Sequence, residues 1–221
     1  MNARGRPRGF ERGAALRAAM LVFWERGYEG ASLGALTEAM GINRPSLYAT
    51  FGDKEALFRE AIALYEQEED ATARAMREQP TARAAVELML RDNADAYCDA
   101  DTPRGCLVVL SAAGCAPEHE SVRVHLANSQ RKVSGALRRR LRRAVSEGEL
   151  PAQTDVAALA TYYETVLQGL SLQAHSGAAR ARLQRVIDYA MAGWDASVAD
   201  TGHSPREPAQ ATAAPRHRSA T

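Results

Sequence analysis

Residues 27–57 of the chain read G-Y-E-G-A-S-L-G-A-L-T-E-A-M-G-I-N-R-P-S-L-Y-A-T-F-G-D-K-E-A-L. Ser32 precedes apolar residues at helical spacing, so its side chain is expected to cap a first short helix. Gly41 stands where that helix must turn sharply, because glycine adopts a positive φ without steric cost. Pro45 fits the first turn of a second helix that begins at Asn43, since a proline there loses no hydrogen bond. The pattern predicts a helix-turn-helix, whose second helix can enter the major groove of DNA.

The second helix of this motif is predicted to have one buried face and one polar face. Leu47 and Phe51 are expected to point inward. Arg44 is the best candidate for reading a base, because a guanidinium can grip guanine O6 and N7 together. Pro45 and Ser46 are expected to touch base edges or thymine methyl groups. The other predicted DNA contacts hold phosphates or flank the helix, and they are Ser32, Asn43, Tyr48, Thr50 and Lys54.

The same stretch resembles the N-terminal domain of the TetR/AcrR family of bacterial transcriptional regulators. The resemblance covers about residues 10–65. Thr37 departs from the family pattern, which usually has alanine there, and Ala49-Thr50 replaces the usual aromatic or histidine pair, so the operator sequence does not follow by analogy. The matches stand in fixed register at Gly27-Tyr28, Ser32-Leu33, Leu36, Gly41-Ile42, Pro45-Ser46-Leu47-Tyr48, Phe51, Asp53-Lys54-Glu55 and Leu57.

Helical spacing along the whole chain predicts an all-α fold of about nine helices. Its breaks suggest a disordered basic arm at residues 1–9, a helix-turn-helix domain at 10–70, a larger helical domain at 75–198 and a disordered tail at 200–221. The resemblance implies that the larger domain binds a ligand and dimerises. It further implies a repressor that binds a palindromic operator in double-stranded DNA as a homodimer and is released by a small-molecule inducer. No cofactor, metal site or catalytic residue is expected.

Composition gives little sign of the partner. The 221 residues carry a net charge of +1, so no global basic field points to nucleic acid. Positive charge is concentrated at the start, where Arg4, Arg6 and Arg8 either belong to a solvated terminus or reach phosphates and the minor groove. No apolar core follows them, so we expect no signal peptide and a cytoplasmic location. The most apolar run, residues 106–116, is too short to span a bilayer, and no membrane partner is expected.

Two helices near the C-terminus are predicted to carry apolar stripes, one at about residues 154–174, capped by Thr154, and one at about 178–198. Such stripes can bury one another within one chain or form a four-helix bundle with a second copy. The resemblance favours the second arrangement, because regulators of this family typically pair through their last two helices. The predicted dimer interface consists of Leu159, Tyr163, Val166, Leu170, Leu183, Val186, Ile187, Ala190 and Trp194.

The resemblance also implies a small-molecule pocket within the larger domain. Candidates for its lining are polar or polarizable groups on otherwise apolar helices, with packing or surface exposure as the competing interpretation of each. The arginine run at residues 138–143 is expected to solvate a long helix rather than to bind. The predicted pocket residues are Tyr97, Cys106, Ser111, Cys115, His125, Tyr162, Tyr163 and Gln168.

Cys106 leads to an alternative hypothesis. A cysteine at the start of a buried helix with a lowered pKa would react with oxidants or electrophiles, which would make the chain a thiol-based repressor of the same fold. The competing interpretation is an inert buried thiol. Three cysteines fit a reducing compartment. The spacing of Cys115, His119 and His125 matches no standard metal site.

Two other classes of protein were weighed against a regulator. The chain contains none of the G-x-S-x-G, H-E-x-x-H, Walker A or G-x-G-x-x-G patterns, so no enzyme is expected. A helical adaptor that does not bind DNA would explain the near-neutral charge. Salt dependence distinguishes these classes, because a protein that neutralises several phosphates loses affinity steeply as salt rises.

Overall fold

The computed structural model describes residues 11–68 and 71–199, and the arm with Arg4, Arg6 and Arg8, residues 69–70 and the tail at 200–221 lie outside this part. Helices are the only regular secondary structure in the described part, as predicted, and it contains no strand. Its helices are α1 (Arg12–Gly30), α2 (Leu33–Met40), α3 (Arg44–Phe51), α4 (Lys54–Glu68), α5 (Ala71–Glu78), α6 (Ala82–Ala96), α7 (Leu107–Gly114), α8 (Glu120–Ser146), α9 (Val156–His175), α10 (Arg180–Ala192) and α11 (Trp194–Ala199).

The helix boundaries differ from the prediction in three places. Residues 71–78 form a separate helix, α5, and Gly193 separates α11 from α10, so the described part has more helices than the sequence suggested. Thr154 was expected to cap α9, but Asp155 does so, because its Oδ1 accepts hydrogen bonds from Ala157 N at 3.0 Å and Ala158 N at 2.9 Å. Thr154 is buried instead.

The first hydrophobic core joins α1–α4 to α7 and to the first half of α8. Aromatic rings form its centre, where Phe23 meets Phe58 at 5.0 Å and Trp24 meets Tyr65 at 4.9 Å between ring centroids. Edge-to-face pairs of this kind add stabilisation beyond the burial of their area. The helix-turn-helix is therefore supported by helices that come much later in the chain.

The second core is formed by α5, α6, the second half of α8 and α9–α11. Helix α8 is 27 residues long and contributes to both cores. Val122 and Leu126 lie in the first core, whereas Leu137 and Leu141 lie in the second. None of the helices in the described ranges has a stretch long and apolar enough to cross a membrane.

The structure corrects most of the predicted dimer interface. The richest apolar stripes of α9 and α10 face each other and the rest of the second core, so they are already buried within one chain. Tyr163, for example, is fully buried and donates a hydrogen bond to the backbone oxygen of Ala190 at 3.3 Å. Val166 is half-buried and Val186 is 42% exposed. The residues wrongly assigned to the interface are Leu159, Tyr163, Leu170, Leu183, Ile187, Ala190 and Trp194.

Candidate nucleic-acid interface and ligand cavity

The helix-turn-helix is held by side-chain caps at both of its helices. Ser32 Oγ accepts a hydrogen bond from Ala35 N at 3.1 Å, and Asn43 Oδ1 accepts one from Ser46 N at 2.9 Å. Gly41 lies between the helices with a φ of 65°, which confirms the predicted turn. Capping satisfies backbone amides that a helix start leaves unpaired. Ser32 thus fixes the start of α2, and Asn43 fixes the start of α3.

Helix α3 presents an open face to solvent. Leu47 is fully buried and Phe51 nearly so, which fixes the helix against the first core as predicted. Arg44 and Pro45 are exposed and Tyr48 is 48% exposed, while Ser46 and Thr50 are half-buried beside them. Within the described part of the chain, the guanidinium of Arg44 makes no ion pair. The predicted base-reading residue is therefore available to an external partner.

Lys54 occupies a fixed position at the start of α4. Its Nζ lies 4.4 Å from the centroid of the Tyr28 ring, a cation–π arrangement that the sequence did not suggest. Burial lowers the pKa of Lys54, and nearby Glu29 acts in the opposite direction. Burial also raises the pKa of Tyr28, and Glu55 adds to that effect. The ring restrains the ammonium group at the start of α4.

Helix α4 is fastened to α8 by polar contacts at two points. Ser121 Oγ donates a hydrogen bond to Glu55 Oε2 at 2.7 Å, which lowers the pKa of Glu55, and Arg59 lowers it further. Near the other end of α4, Lys132 Nζ lies 2.5 Å from Glu66 Oε2. A shift of α4 along α8 must therefore break one contact or both.

A cavity of about 350 Å³ lies where α4 meets the larger domain. Helices α4–α9 all contribute to its mostly apolar wall, and three of the predicted pocket residues, Tyr97, Cys106 and Gln168, are among them. Its lining consists of Tyr65, Glu66, Thr72, Ala73, Asn93, Tyr97, Cys106, Val108, Val109, Ser129, Gln130, Lys132, Val133, Ala136, Arg139, Glu164, Leu167 and Gln168.

The other predicted pocket residues lie elsewhere. Ser111 is buried in α7 and Tyr163 in the second core, whereas Tyr162 is 45% exposed. Cys115 follows the end of α7 and packs against the first core, and His125 lies in the first half of α8, where burial lowers its pKa. None of these five residues is among those that line the cavity, because α7, α8 and α9 each turn only part of their surface toward it.

Several cavity residues were missed from the sequence. Tyr65 and Glu66 belong to α4, which was assigned to the DNA-binding domain. Charged residues were also overlooked, although long polar side chains often fix a ligand at the edge of an apolar pocket. Glu164 is one of them, and it accepts hydrogen bonds from Ser134 Oγ and, at 3.5 Å, from Gln168 Nε2.

Cys106 lies in the cavity wall, and its pKa is shifted in the direction opposite to the one that a thiol sensor needs. Burial raises the pKa of Cys106, while the Tyr65 hydroxyl, which donates to its Sγ at 3.4 Å, pulls the pKa back down. A raised pKa disfavours the reactive thiolate. Within the described residues, the three cysteines are free thiols and no three metal-ligating side chains cluster together.

The outer surface of α9 and α10 carries large apolar side chains in contact with solvent. Tyr189 is 74% exposed, and Tyr162, Leu172 and Val186 are each more than 40% exposed. They sit on the faces opposite the buried stripes. Where exposed apolar groups form one contiguous patch, they commonly mark an interaction surface.

A capped helix with an open polar face, preceded by a glycine turn and followed by a restrained lysine, defines a helix-turn-helix DNA-binding protein. Comparison with known families agrees. Residues 15–61 match the model described as "Bacterial regulatory proteins, tetR family", and residues 82–190 match "Tetracyclin repressor-like, C-terminal domain". The chain belongs to the tetR family and is a DNA-binding transcriptional regulator.

Similar proteins include characterised regulators. The chain is 32% identical to the HTH-type transcriptional repressor ComR of Escherichia coli (strain K12), over 87% of this chain and 92% of ComR. It is also 32% identical to the HTH-type transcriptional repressor AcnR of Corynebacterium glutamicum, over 78% of this chain and 86% of AcnR. A solved structure of a cysteine mutant of the regulator CifR, complexed with 26bp double-strand operator DNA, has 48% identity and a TM-score of 0.82 and covers 86% of this chain and 100% of that one.

Proposed function

We propose that the protein is a repressor that binds a palindromic operator as a homodimer and leaves it when a small molecule enters the cavity next to α4. The observation that carries this proposal is the position of Tyr65 and Glu66, which belong to a helix of the DNA-binding domain and also line the cavity. Such a repressor acts in the cytoplasm, where the DNA is, and needs no catalytic residue or cofactor.

The open face of α3 is the proposed reader of the operator. Arg44 is positioned to contact a guanine, with Pro45 and Ser46 beside it at the base edges. Tyr48, Thr50 and Lys54 are assigned to phosphates, which fix register without reading sequence. Ser32 and Asn43 lie at the helix starts, where backbone amides attract phosphate. The arginines of the N-terminal arm, Arg4, Arg6 and Arg8, remain candidates for the minor groove.

The proposed dimer interface is the exposed apolar face of α9 and α10, rather than the stripes that close the second core. It consists of Tyr162, Leu172, Val186 and Tyr189, and Val166 lies half-buried at its edge. A two-fold interface uses the same patch on both copies. Pairing through this face supplies two recognition helices, which must lie about 34–36 Å apart to read successive major grooves.

Release of DNA follows from the contacts between α4 and the cavity. A ligand that fills the space between Tyr65 and α8 favours an arrangement in which Glu66 and Lys132 no longer meet at their present distance. The ligand needs only to bind the arrangement that does not fit DNA more tightly than the one that does. The raised pKa of Cys106 favours such reversible binding over attack by a thiolate.

The experiment that tests the repressor proposal is selection of bound sequences from random duplex DNA, with the wild type, Arg44→Ala and the control Arg142→Ala. We expect the wild type and the control to enrich one palindrome and Arg44→Ala to enrich a blurred version of it. Arg142 is a suitable control because it is exposed near the far end of α8. If no sequence is enriched even at low salt, the DNA-binding proposal fails.

A further inference from the structure

A second cavity, of about 380 Å³, lies between α5 and the second half of α8. The function proposed above does not use it. Its floor is made of Ala73, Met76 and Ala136, and its remaining lining consists of the arginines Arg77, Arg139, Arg140 and Arg143. We call this space the arginine cavity.

Arg140 is the buried member of this group, although the sequence suggested a solvated run. Its side chain is 1% exposed, and its Nη2 donates to the backbone oxygen of Pro80 at 3.2 Å and to Glu149 Oε2 at 3.1 Å. Its Nε and Nη1 are also buried but have no hydrogen-bond partner among the described residues. Buried N–H groups are nearly always paired in native proteins, so two unpaired donors on a residue that lines the cavity indicate a missing acceptor.

The charges around the arginine cavity point to an anionic acceptor. Arg143 pairs with Glu147 at 3.0 Å, and both side chains are about half exposed. Arg139 has no ion pair within the described part of the chain. No carboxylate is among the described residues that line this cavity, because Glu147 and Glu149 lie outside it. Guanidinium groups match the geometry of carboxylate and phosphate oxygens better than any other side chain does.

The arginine cavity adjoins the mostly apolar cavity of about 350 Å³. Ala73, Ala136 and Arg139 line both spaces and form their common wall. One molecule with an apolar part and a charged end could therefore occupy both. The same helix, α8, supplies Lys132 to the contact with α4 and Arg139 and Arg140 to this site.

We infer that the arginine cavity binds the carboxylate or phosphate group of an amphipathic ligand whose apolar part lies in the adjoining, mostly apolar cavity. The identity of this ligand as the effector rests on the repressor function proposed above. The existence of the binding site does not depend on that function. Arg140 lines this cavity and has two donors without a partner among the described residues, and Arg139 and Arg143 add charge from the same helix.

Isothermal titration calorimetry of the full-length protein without DNA tests this inference. The probes are decanoate and decyl phosphate, decan-1-ol as the uncharged analogue, and inorganic phosphate as the head group without an apolar part. We expect both amphipathic anions to bind at least about tenfold more tightly than decan-1-ol, because each bidentate charged contact is strong in a buried site. Inorganic phosphate should bind weakly.

The matched variants are Arg139→Gln combined with Arg143→Gln, and Arg142→Gln as the control on the same helix. The double change should weaken decanoate and decyl phosphate by about tenfold or more and leave decan-1-ol unchanged. Both replaced side chains reach solvent, so circular dichroism should show an intact fold. Arg142→Gln should bind all four probes as the wild type does, since Arg142 does not line the cavity.

The outcomes separate the inference from the repressor proposal. Equal affinity for decanoate and decan-1-ol, or no binding of any anion, overturns the inference, as does an unchanged affinity in the double variant. If inorganic phosphate binds tightly and decanoate does not displace it, the site binds a free anion. That result overturns the inference of an amphipathic ligand. Anion binding that does not release operator DNA in a fluorescence anisotropy assay supports the site but contradicts its role as the effector site.

Discussion

The indole nitrogen of Trp24, in α1, donates a hydrogen bond to the backbone oxygen of Gly105 at 3.0 Å. The amide of Gly105 in turn donates to the backbone oxygen of Tyr97 at 3.1 Å, at the end of α6. The next amide, that of Cys106, donates to Ser171 Oγ of α9 at 2.8 Å. These contacts tie the DNA-binding domain, the cavity wall and the second core together at two consecutive residues.

Gly105→Ala should destabilise the protein more than an ordinary glycine substitution. Gly105 has a φ of +89°, and an added Cβ would lie 2.9 Å from the backbone oxygen of Ser171. We expect a loss of about 3 kcal/mol in the free energy of unfolding, measured by urea denaturation. The control is Gly148→Ala, where φ is +75° and nothing lies within 4 Å, so that strain alone costs about 1–2 kcal/mol. Equal losses in the two variants would contradict the close approach to Ser171.

Lys54→Ala should weaken binding to operator and to random duplex DNA by the same factor. Lys54 is assigned to a phosphate, and a phosphate contact carries no sequence information. The variant homodimer loses two such contacts, one from each copy, so the slope of log K against log salt should become shallower by about 1.8, measured by fluorescence anisotropy at several salt concentrations. Arg142→Ala is the control, because it removes one positive charge from a part of the protein that is not assigned to DNA. If non-specific binding is unchanged in the Lys54 variant, Lys54 does not contact a DNA phosphate.

Glu149→Ala should be far more destabilising than Glu147→Ala, although the two carboxylates are two positions apart. Glu149 pairs with the buried Arg140 at 3.1 Å and also accepts the first amide of α6, from Ala82. Its removal leaves a buried guanidinium without its carboxylate, for which we expect a loss of about 3 kcal/mol. Glu147 pairs with Arg143 at the surface, where such pairs contribute less than about 1 kcal/mol. Thermal unfolding of both variants measures the difference, and similar values would mean that Arg140 does not depend on Glu149.

Tyr189→Asp should convert the dimer into a monomer. The tyrosine is 74% exposed at the proposed interface, and a carboxylate there would face its own copy across the two-fold axis. Light scattering coupled to size-exclusion chromatography should show the mass falling by half. Tyr48→Asp is the control, because Tyr48 is also an exposed tyrosine, at 48%, but lies on α3. A Tyr189 variant that remains dimeric would place the interface elsewhere.

Local chemistry could be predicted well from the sequence. The cap at Ser32, the turn at Gly41 and the start of the second helix at Asn43 depend on residues within a few positions of each other, and the structure has all three. The helices themselves follow from spacing in the same way. Nothing in these patterns requires knowledge of the rest of the chain.

The partner of each buried face could not be predicted in this way. An apolar stripe on α9 shows that one face is buried, but it does not say whether α10 of the same chain or a second copy covers it. Tyr163 was assigned to the wrong partner for this reason. Arg140 did carry a usable signal, since it lies in the stripe of Leu137, Leu141 and Ala144 at helical spacing, and the neighbouring arginines obscured it.

The length of α8 has a consequence for how the molecule unfolds. Val122 and Leu126 complete the core around the helix-turn-helix, while the same helix, about 16 Å further along at Leu137, closes the other core. A fragment ending after α4 would lack these side chains, together with Leu107 and Val108, and would expose the apolar surface they cover. We therefore expect the DNA-reading part to fold poorly when it is cut away, and both cores to melt in a single cooperative transition.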